Sequence, residues 1–192
     1  RFRPLDRDAC RKALGIDDGR FVVLFVGRLI PGKGAAVVVD VARRLPDVSF
    51  IIVGTGPEES RLRGETSLPN VTFAGYVGQE GLPCYYNAAD LFILPSQYRE
   101  GLGRVVLEAL SCGCPALMSD SAAIAPLVTE VALLSPPEAD AMAARVARCR
   151  DNPAWVAEKR GPARLKAEAL FSERNVHDLF AAYGWKEAGG SR

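Results

Sequence analysis

Six short apolar runs recur along the 192-residue chain, and most are rich in β-branched or aromatic residues. They cover residues 21–26, 48–53, 71–73, 90–94, 115–118 and 131–134. Runs of this length and composition favour buried parallel strands. Helical patterns lie between them, as at Val38, Val41, Ala42 and Leu45, which share one helix face. Alternating strands and helices predict an α/β fold, with a parallel sheet covered by helices on both faces.

The composition favours one domain with a substantial core, since 48% of the residues are hydrophobic. The net charge is only +1 and the basic residues are scattered, so we expect no nucleic-acid partner. No apolar stretch approaches the roughly 20 residues that span a bilayer, and the polar opening residues predict no signal peptide. We therefore expect a cytoplasmic protein without a transmembrane segment.

The five cysteines are odd in number, and their spacing suggests no disulfide framework. Cys112 and Cys114 stand close together, but the only histidine, His177, is distant in sequence, so they lack companions for a metal site. The pattern predicts small buried hydrophobes or free thiols, which fits a reducing compartment.

We divide the chain into four segments. Residues 1–19 form a lead-in that contains Pro4 and ends in a turn, and residues 20–150 form the sheet domain. Residues 151–187 lack strand signals and predict C-terminal helices, with Val176, Leu179, Phe180 and Tyr183 on one helical stripe. Residues 188–192 form a flexible tail.

Residues 27–34, after the first apolar run, have the glycines and cations of a ligand-binding loop. In a parallel sheet, ligands bind outside the carboxyl ends of the strands. Glycine lets the backbone approach a ligand closely. Arg28 can bind phosphate through two hydrogen bonds from its planar guanidinium group, and Lys33 supplies a point charge. The alternative is a plain strand-to-helix turn with solvated charges. The spacing is not that of a Walker motif.

A second glycine pair, Gly54 and Gly56, follows the second apolar run. It lacks the third glycine of a dinucleotide fingerprint. We therefore favour a tight turn, with Pro57 starting a helix, over a direct phosphate contact.

The strongest local signal runs from Glu100 to Glu108, after the fourth apolar run. A helix that begins near Gly103 would present bare N–H groups at its positive end, which favours a diphosphate. Its Glu108 carboxylate could accept two hydrogen bonds from a ribose diol. The helical period puts Leu102, Val106, Ala109 and Leu110 on the core face, and Gly101, Arg104, Val105 and Glu108 on the other. Phosphate plus polyhydroxyl is the chemistry of a nucleotide-sugar, although a solvent-facing Glu108 fits the pattern equally well.

Taken in order, these motifs resemble the C-terminal, nucleotide-sugar-binding domain of a family-4 retaining glycosyltransferase with the GT-B fold. The matching segments are residues 26–34, 53–57, 71–77, 85–90, 94–96 and 100–115, and residues 171–176 resemble the family's terminal helix. The resemblance covers most of residues 1–150 and implies a Rossmann-like domain. It departs from the family at Leu102, where phenylalanine is frequent, and at residues 119–124, where the family's loop is rich in glycine.

The resemblance implies a role for each matching residue. Arg28 and Lys33 would hold the donor diphosphate and stabilise charge on the leaving group, and Glu100 would contact the transferred sugar. Glu108 would bind the ribose hydroxyls. The remaining donor-binding positions are Gly27, Tyr76 and Val77 in the first and third loops, the latter two near the base, and Gly101, Leu102, Gly103 and Val105 around the helix start.

The resemblance also implies the ligands and partners. The donor would be a UDP-, GDP- or ADP-sugar, with no obligatory cofactor or metal. The acceptor, a glycan or lipid, would bind an N-terminal domain to which nothing in these residues corresponds, and that half could make the enzyme peripheral to the inner membrane. We therefore expect this chain alone to bind the donor weakly and to catalyse little or nothing.

Other functions remain open on the same scaffold. A nucleotide-sugar epimerase would need further acid and base groups around the sugar, and a phosphorylase would need a lysine placed for a Schiff base. A dehydrogenase would need the full dinucleotide fingerprint. A non-catalytic nucleotide-binding or interaction module would keep the fold alone, and titration with nucleoside diphosphates would distinguish it.

Overall fold

The structure is a computed structural model that describes residues 1–16, 19–64, 67–98 and 103–171. These residues form a six-stranded sheet of order β3-β2-β1-β4-β5-β6, in which every pair of neighbours is parallel. The strands are β1 Phe21–Val26, β2 Val48–Val53, β3 Val71–Gly75, β4 Leu91–Leu94, β5 Ala116–Ser119 and β6 Ala132–Ser135. The predicted α/β class and parallel sheet are confirmed, and each apolar run became a strand within two residues of its expected limits.

Helices occupy the segments before, between and after the strands. They are α1 Arg7–Ala13, α2 Ala35–Arg44, α3 Glu59–Gly64, α4 Leu82–Ala88, α5 Arg104–Ser111, α6 Ala139–Asp151 and α7 Pro153–Phe171, with a 3-10 turn at Ala125–Leu127. Within the described residues, no helix is both long and apolar enough to cross a bilayer. The predicted stripe from Val176 to Tyr183 and the tail at 188–192 lie outside these residues.

The three consecutive valines at 37–39 are helical although β-branched residues also suit strands. Val38, Val41 and Ala42 have no exposed surface, because this face of α2 packs on the sheet and beside α6. Arg43 and Arg44 end the helix, where positive charge is favourable. Burial of one face therefore decides the conformation of this segment, as its helical spacing predicts.

The sheet changes winding direction at β1, which lies between β2 and β4. Right-handed crossovers place α2 and α3 on one face of the sheet and α4 and α5 on the other. On the second face α1 packs on α4, and α7 packs on α5. The carboxyl ends of all the strands meet at one edge, and the crevice between β1 and β4 is where ligands bind in such sheets.

The five cysteines are thiols outside any disulfide, as predicted. Cys10, Cys112, Cys114 and Cys149 are buried, and Cys84 is half-buried. Burial raises the pKa of the Cys112 and Cys114 thiols to about 12, so both stay protonated near neutral pH. These side chains act as small apolar groups of the core.

Asp90 ties the lead-in to the amino edge of the sheet. Its carboxylate accepts hydrogen bonds from the Arg7 side chain, from Arg11 Nη2 at 2.7 Å and from the Val22 N–H at 2.8 Å. Arg11 Nε also donates to the Ala88 carbonyl at 3.0 Å. Asp90, the first residue of the strand predicted at 90–94, is therefore an anchor for α1.

Replacing Asp90 with asparagine should lower the free energy of unfolding by about 3 kcal/mol, since it leaves the largely buried guanidinium of Arg11, and that of Arg7, without their anion. Chemical denaturation followed by circular dichroism measures this loss. Asp140→Asn is the matched control, because Asp140 pairs with Arg44 but its side chain is 87% exposed. Equal, small losses in the two variants would contradict an anchoring role for Asp90.

Candidate functional site

The loop after β1 continues the main-chain pairing with the loop after β2. The Gly27 N–H donates to the Val53 carbonyl at 3.0 Å, and the Leu29 N–H donates to the Thr55 carbonyl at 2.9 Å. A Cβ at Gly54 would lie 1.9 Å from the Gly27 oxygen, and one at Gly56 would lie 2.3 Å from the Leu29 oxygen. Both glycines are therefore required by chain packing, which agrees with the tight turn we favoured. The helix that follows begins at Glu59, two residues after the predicted Pro57.

The loop after β1 also contacts the loop after β4, across the switch point. The Gln97 N–H donates to the Gly32 carbonyl at 2.8 Å. A Cβ at Gly34 would lie 2.5 Å from the Pro95 oxygen, and one at Gly32 would lie 2.5 Å from the Tyr98 ring. Both glycines have positive φ, 74° at Gly32 and 103° at Gly34. The glycines on either side of Lys33 thus hold two neighbouring loops together.

An open groove of about 310 Å³ lies at this edge of the sheet, beside β1, β2 and β3. Its lining residues come from three strand ends: Val26, Gly27 and Arg28, Val53, Gly54 and Thr55, and Tyr76 and Val77. Arg28 is exposed, and the Tyr76 side chain is 79% exposed. The fold therefore brings four residues of the sequence prediction, Gly27, Arg28, Tyr76 and Val77, into one groove.

Lys33 lies close to this groove and is half-buried. A Cβ added at Gly27, which lines the groove, would be 3.8 Å from Lys33 Cγ. Arg28 follows the same glycine in the chain. Arg28 and Lys33 therefore both lie next to Gly27, which has no side chain, and this arrangement suits an anion.

Helix α5 begins as the sequence predicted, with Gly103 as its N-cap at φ 53°. Within the described residues, no side chain caps this N-terminus. The Val106 N–H donates to the Gly103 carbonyl at 2.7 Å, and the preceding N–H groups of Arg104 and Val105, at the positive end of the helix, suit an anion. Val106, Ala109 and Leu110 are fully buried, as the helical period requires. Glu100, Gly101 and Leu102, which the prediction also includes, lie outside the described residues.

Glu108, in the second turn of α5, is half-buried and not a solvent-facing glutamate. The Tyr86 hydroxyl of α4 donates to its Oε2 at 3.0 Å. Burial raises the pKa of Glu108 above its ordinary value, while the Tyr86 hydrogen bond and the positive charge of Arg104 act in the opposite direction. Sequence reasoning missed Tyr86, although it stands in the 85–90 segment that carries part of the resemblance.

The glycine-poor loop after β5 reaches the N-terminus of α5 in spite of its composition. The Ile124 side chain would lie 3.7 Å from a Cβ at Gly103, and both Ala122 and Ile124 are buried. The Ser119 and Ser121 hydroxyls, at the start of the loop, are 2.8 Å apart and hydrogen-bonded. Apolar side chains therefore stand beside the N-cap of α5, where the family's loop has glycines.

Across the part of the chain that the structure describes, no three His, Cys, Asp or Glu side chains converge in a way that could hold a metal ion.

The comparison with protein families agrees with this geometry. Residues 6–169 match the model of the family described as glycosyl transferases group 1. The chain belongs to this family. A D-inositol 3-phosphate glycosyltransferase from Mycobacterium sp. (strain KMS) is 40% identical over 124 residues, which are 59% of this chain and 28% of that protein. The resemblance inferred from the sequence motifs is confirmed at the level of the family.

Solved glycosyltransferase structures have the same fold. Sucrose-phosphate synthase from Thermosynechococcus elongatus gives a TM-score of 0.80 at 30% identity, covering 94% of this chain and 50% of that one. HepE from Anabaena, in complex with UDP and glucose, gives a TM-score of 0.82 at 26% identity, and the match covers 95% of this chain and 53% of HepE. The C-terminal domain of the group 1 protein LpcC from Francisella tularensis gives a TM-score of 0.76 at 19% identity, and the match covers 88% of this chain and 94% of that domain. The chain thus spans about half of the two longer proteins.

The contact between the loops after β1 and β4 predicts a high cost for Gly34→Ala. The new methyl group would meet the Pro95 carbonyl, and the residue would be strained at a φ of 103°. We expect a loss of about 2–3 kcal/mol in the free energy of unfolding, measured by chemical denaturation. Gly64→Ala is the control, because nothing lies within 4 Å of a Cβ there, and a similar loss in both variants would contradict this account.

Proposed function

We propose that this chain is the donor-binding domain of a retaining glycosyltransferase, and that it binds a nucleotide-diphosphate-sugar at the carboxyl edge of the sheet. The observation that carries the proposal is the groove shared by Gly27, Arg28, Tyr76 and Val77. A cationic loop, bare backbone and an exposed aromatic ring meet there beside the switch point. This combination suits a ligand with both a base and a diphosphate.

In this proposal the diphosphate lies between the loop after β1 and the N-terminus of α5. Arg28 and Lys33 neutralise the negative charge that grows on the diphosphate as the bond to the sugar breaks. Donors fixed in advance around developing charge are a large source of rate enhancement. The sugar would pass to the acceptor with retention at its anomeric carbon, as in the family that the motifs resemble, and Glu100 would contact that sugar.

The nucleoside would be held by the other residues of the site. The Glu108 carboxylate accepts hydrogen bonds from the ribose diol, and the base lies near Tyr76 and Val77. UDP is the first nucleotide to test, because HepE, at 26% identity, was solved with UDP. A GDP- or ADP-sugar uses the same diphosphate and ribose contacts.

We propose that a second domain supplies the acceptor site, for a glycan or a lipid. The chain covers 50% of sucrose-phosphate synthase and 53% of HepE, so half of each of these proteins has no counterpart here. The chain alone would therefore bind donor with little turnover. Five thiols outside any disulfide suit a cytoplasmic site of action.

Calorimetric titration with UDP, GDP and ADP tests the proposal. We expect one of them to bind and to raise the melting temperature, because a ligand at 100 times its Kd stabilises the native state by about 2.7 kcal/mol. The absence of binding by all three nucleotides would contradict the proposal and favour a non-catalytic module with the same fold.

Lys33→Ala should weaken binding of the nucleoside diphosphate by about 1–3 kcal/mol, because it removes a charge-assisted contact with the diphosphate. Calorimetry with UDP measures the change. Lys12→Ala is the charge-matched control, since Lys12 is exposed on α1, at the amino edge of the sheet. Equal losses in the two variants would mean that only net charge matters and would exclude a direct role for Lys33.

Glu108→Gln should weaken UDP binding by about 1–3 kcal/mol and leave the affinity for inorganic pyrophosphate nearly unchanged. Glutamine is preferred to alanine because its amide oxygen can still accept the hydrogen bond from Tyr86. Competition between the two ligands on the wild type, followed by titration of each with the variant, measures the difference. Equal losses for both ligands would contradict the assignment of Glu108 to the ribose.

A further inference from the structure

Tyr86 is a large buried polar side chain in direct contact with Glu108. Its hydroxyl donates to Glu108 Oε2 at 3.0 Å, although α4 and α5 lie on opposite sides of β4 in the sequence. The tyrosine has no exposed surface. A buried hydroxyl needs a partner, and here that partner is the carboxylate that we assign to the ribose.

Two aromatic rings hold the Tyr86 ring in place. Phe92 of β4 meets it at 5.8 Å between centroids, with the planes inclined at 61°, and Phe2 of the lead-in meets it at 6.0 Å and 74°. Both arrangements are edge-to-face, the favourable geometry for aromatic pairs. Packing of these two rings therefore fixes the orientation of the Tyr86 hydroxyl toward Glu108.

The lead-in segment that carries Phe2 is itself held by hydrogen bonds. The Asn87 side chain accepts from the Leu5 N–H at 2.8 Å and donates to the Arg3 carbonyl at 3.0 Å. Arg164 of α7 donates to the Phe2 carbonyl at 2.9 Å. Contacts from α4 and α7 thus keep Phe2 packed on Tyr86, which in turn contacts Glu108.

We propose that Tyr86 is a positioning residue, which holds the Glu108 carboxylate in the orientation that accepts the ribose diol. The inference rests on the proposed function. Tyr86 uses one lone pair of Oε2, so the carboxylate keeps acceptor positions for the two ribose hydroxyls. Without the bond, Glu108 would rotate among several conformers, and the nucleotide would have to order it on binding.

The titratable groups around Glu108 agree with this arrangement. Arg104 lies one turn earlier on α5, Cys112 lies one turn later, and Tyr86 approaches from α4. Burial, followed by the adjacent carboxylate, raises the pKa of Tyr86, so the phenol stays neutral and donates its proton. Removing the hydroxyl would take away an interaction that lowers the pKa of Glu108, and that pKa would rise further.

Tyr86→Phe tests the proposal, with UDP and 2′-deoxy-UDP as ligands (or the GDP or ADP pair, if the panel identifies that base). The two ligands differ only in the 2′-hydroxyl, one of the two ribose hydroxyls from which Glu108 would accept a hydrogen bond. We expect the variant to lose roughly 3- to 10-fold in affinity for UDP, and less than about twofold for 2′-deoxy-UDP. Tyr85→Phe is the matched control, because Tyr85 is half-buried and lines a different groove, beside β2 and β3.

The pH profile separates positioning from a general loss of stability. The ratio of the two affinities cancels the titration of the phosphate, which the ligands share. In the wild type the preference for UDP should decline as the pH falls through the pKa of Glu108. In Tyr86→Phe the decline should begin at a higher pH, because the pKa is higher. A merely structural effect would lower both affinities without moving this profile.

Three results would overturn the proposal. One is an equal loss for both ligands, and another is an unchanged UDP preference in a folded Tyr86→Phe variant. The third comes from the double variant: if Tyr86→Phe lowers the UDP preference as much in a Glu108→Ala background, which has no acceptor for the Tyr86 hydroxyl, as in the wild type, Tyr86 does not act through Glu108. A wild-type chain that binds none of the nucleotides would instead contradict the proposed function itself.

Discussion

Main-chain contact between loops is the constraint on which the candidate site depends. The loop after β1 touches the loop after β2 at Gly54 and the loop after β4 at Gly34, where a Cβ would lie 1.9 and 2.5 Å from a carbonyl oxygen. No side chain fits at either contact, so the loops lie closer than ordinary residues allow. The cationic residues of the first loop are thereby held between two fixed points of the sheet edge, near the crevice where the sheet changes winding direction.

Periodicity predicted much of the fold because burial on a sheet or helix face is a local property. The strands are apolar over four to six residues, and the core face of α5 follows from the spacing of Val106, Ala109 and Leu110. The function of the glycines was harder to predict. Gly54 is 27 positions from the Gly27 carbonyl that excludes its side chain, and nothing near Gly54 in the sequence indicates that contact.

The same limit applies to the polar residues. The sequence left Glu108 divided between a solvent-facing and a ligand-binding carboxylate, because both lie on the polar face of a helix. Its half-buried position and the Tyr86 hydrogen bond depend on the packing of α4 beside α5. Asp90 likewise resembles the beginning of a strand, and only the approach of α1 makes it an anchor. Polar partners distant in sequence leave no periodic signal.

The openness of the groove gives a physical reason for the proposal that a second domain completes the site. Arg28 is exposed, and the groove beside β1 opens to solvent. An ion pair at 4 Å in bulk water is worth about 1 kcal/mol, and several times more where the effective dielectric constant falls to about 20. In the proposed function, the cations near β1 would attract a diphosphate, but their stabilisation of a departing diphosphate would grow only when water is excluded. A second domain that closes over the carboxyl edge would supply that exclusion together with the acceptor, so that the bond to the sugar breaks only when both substrates are in place.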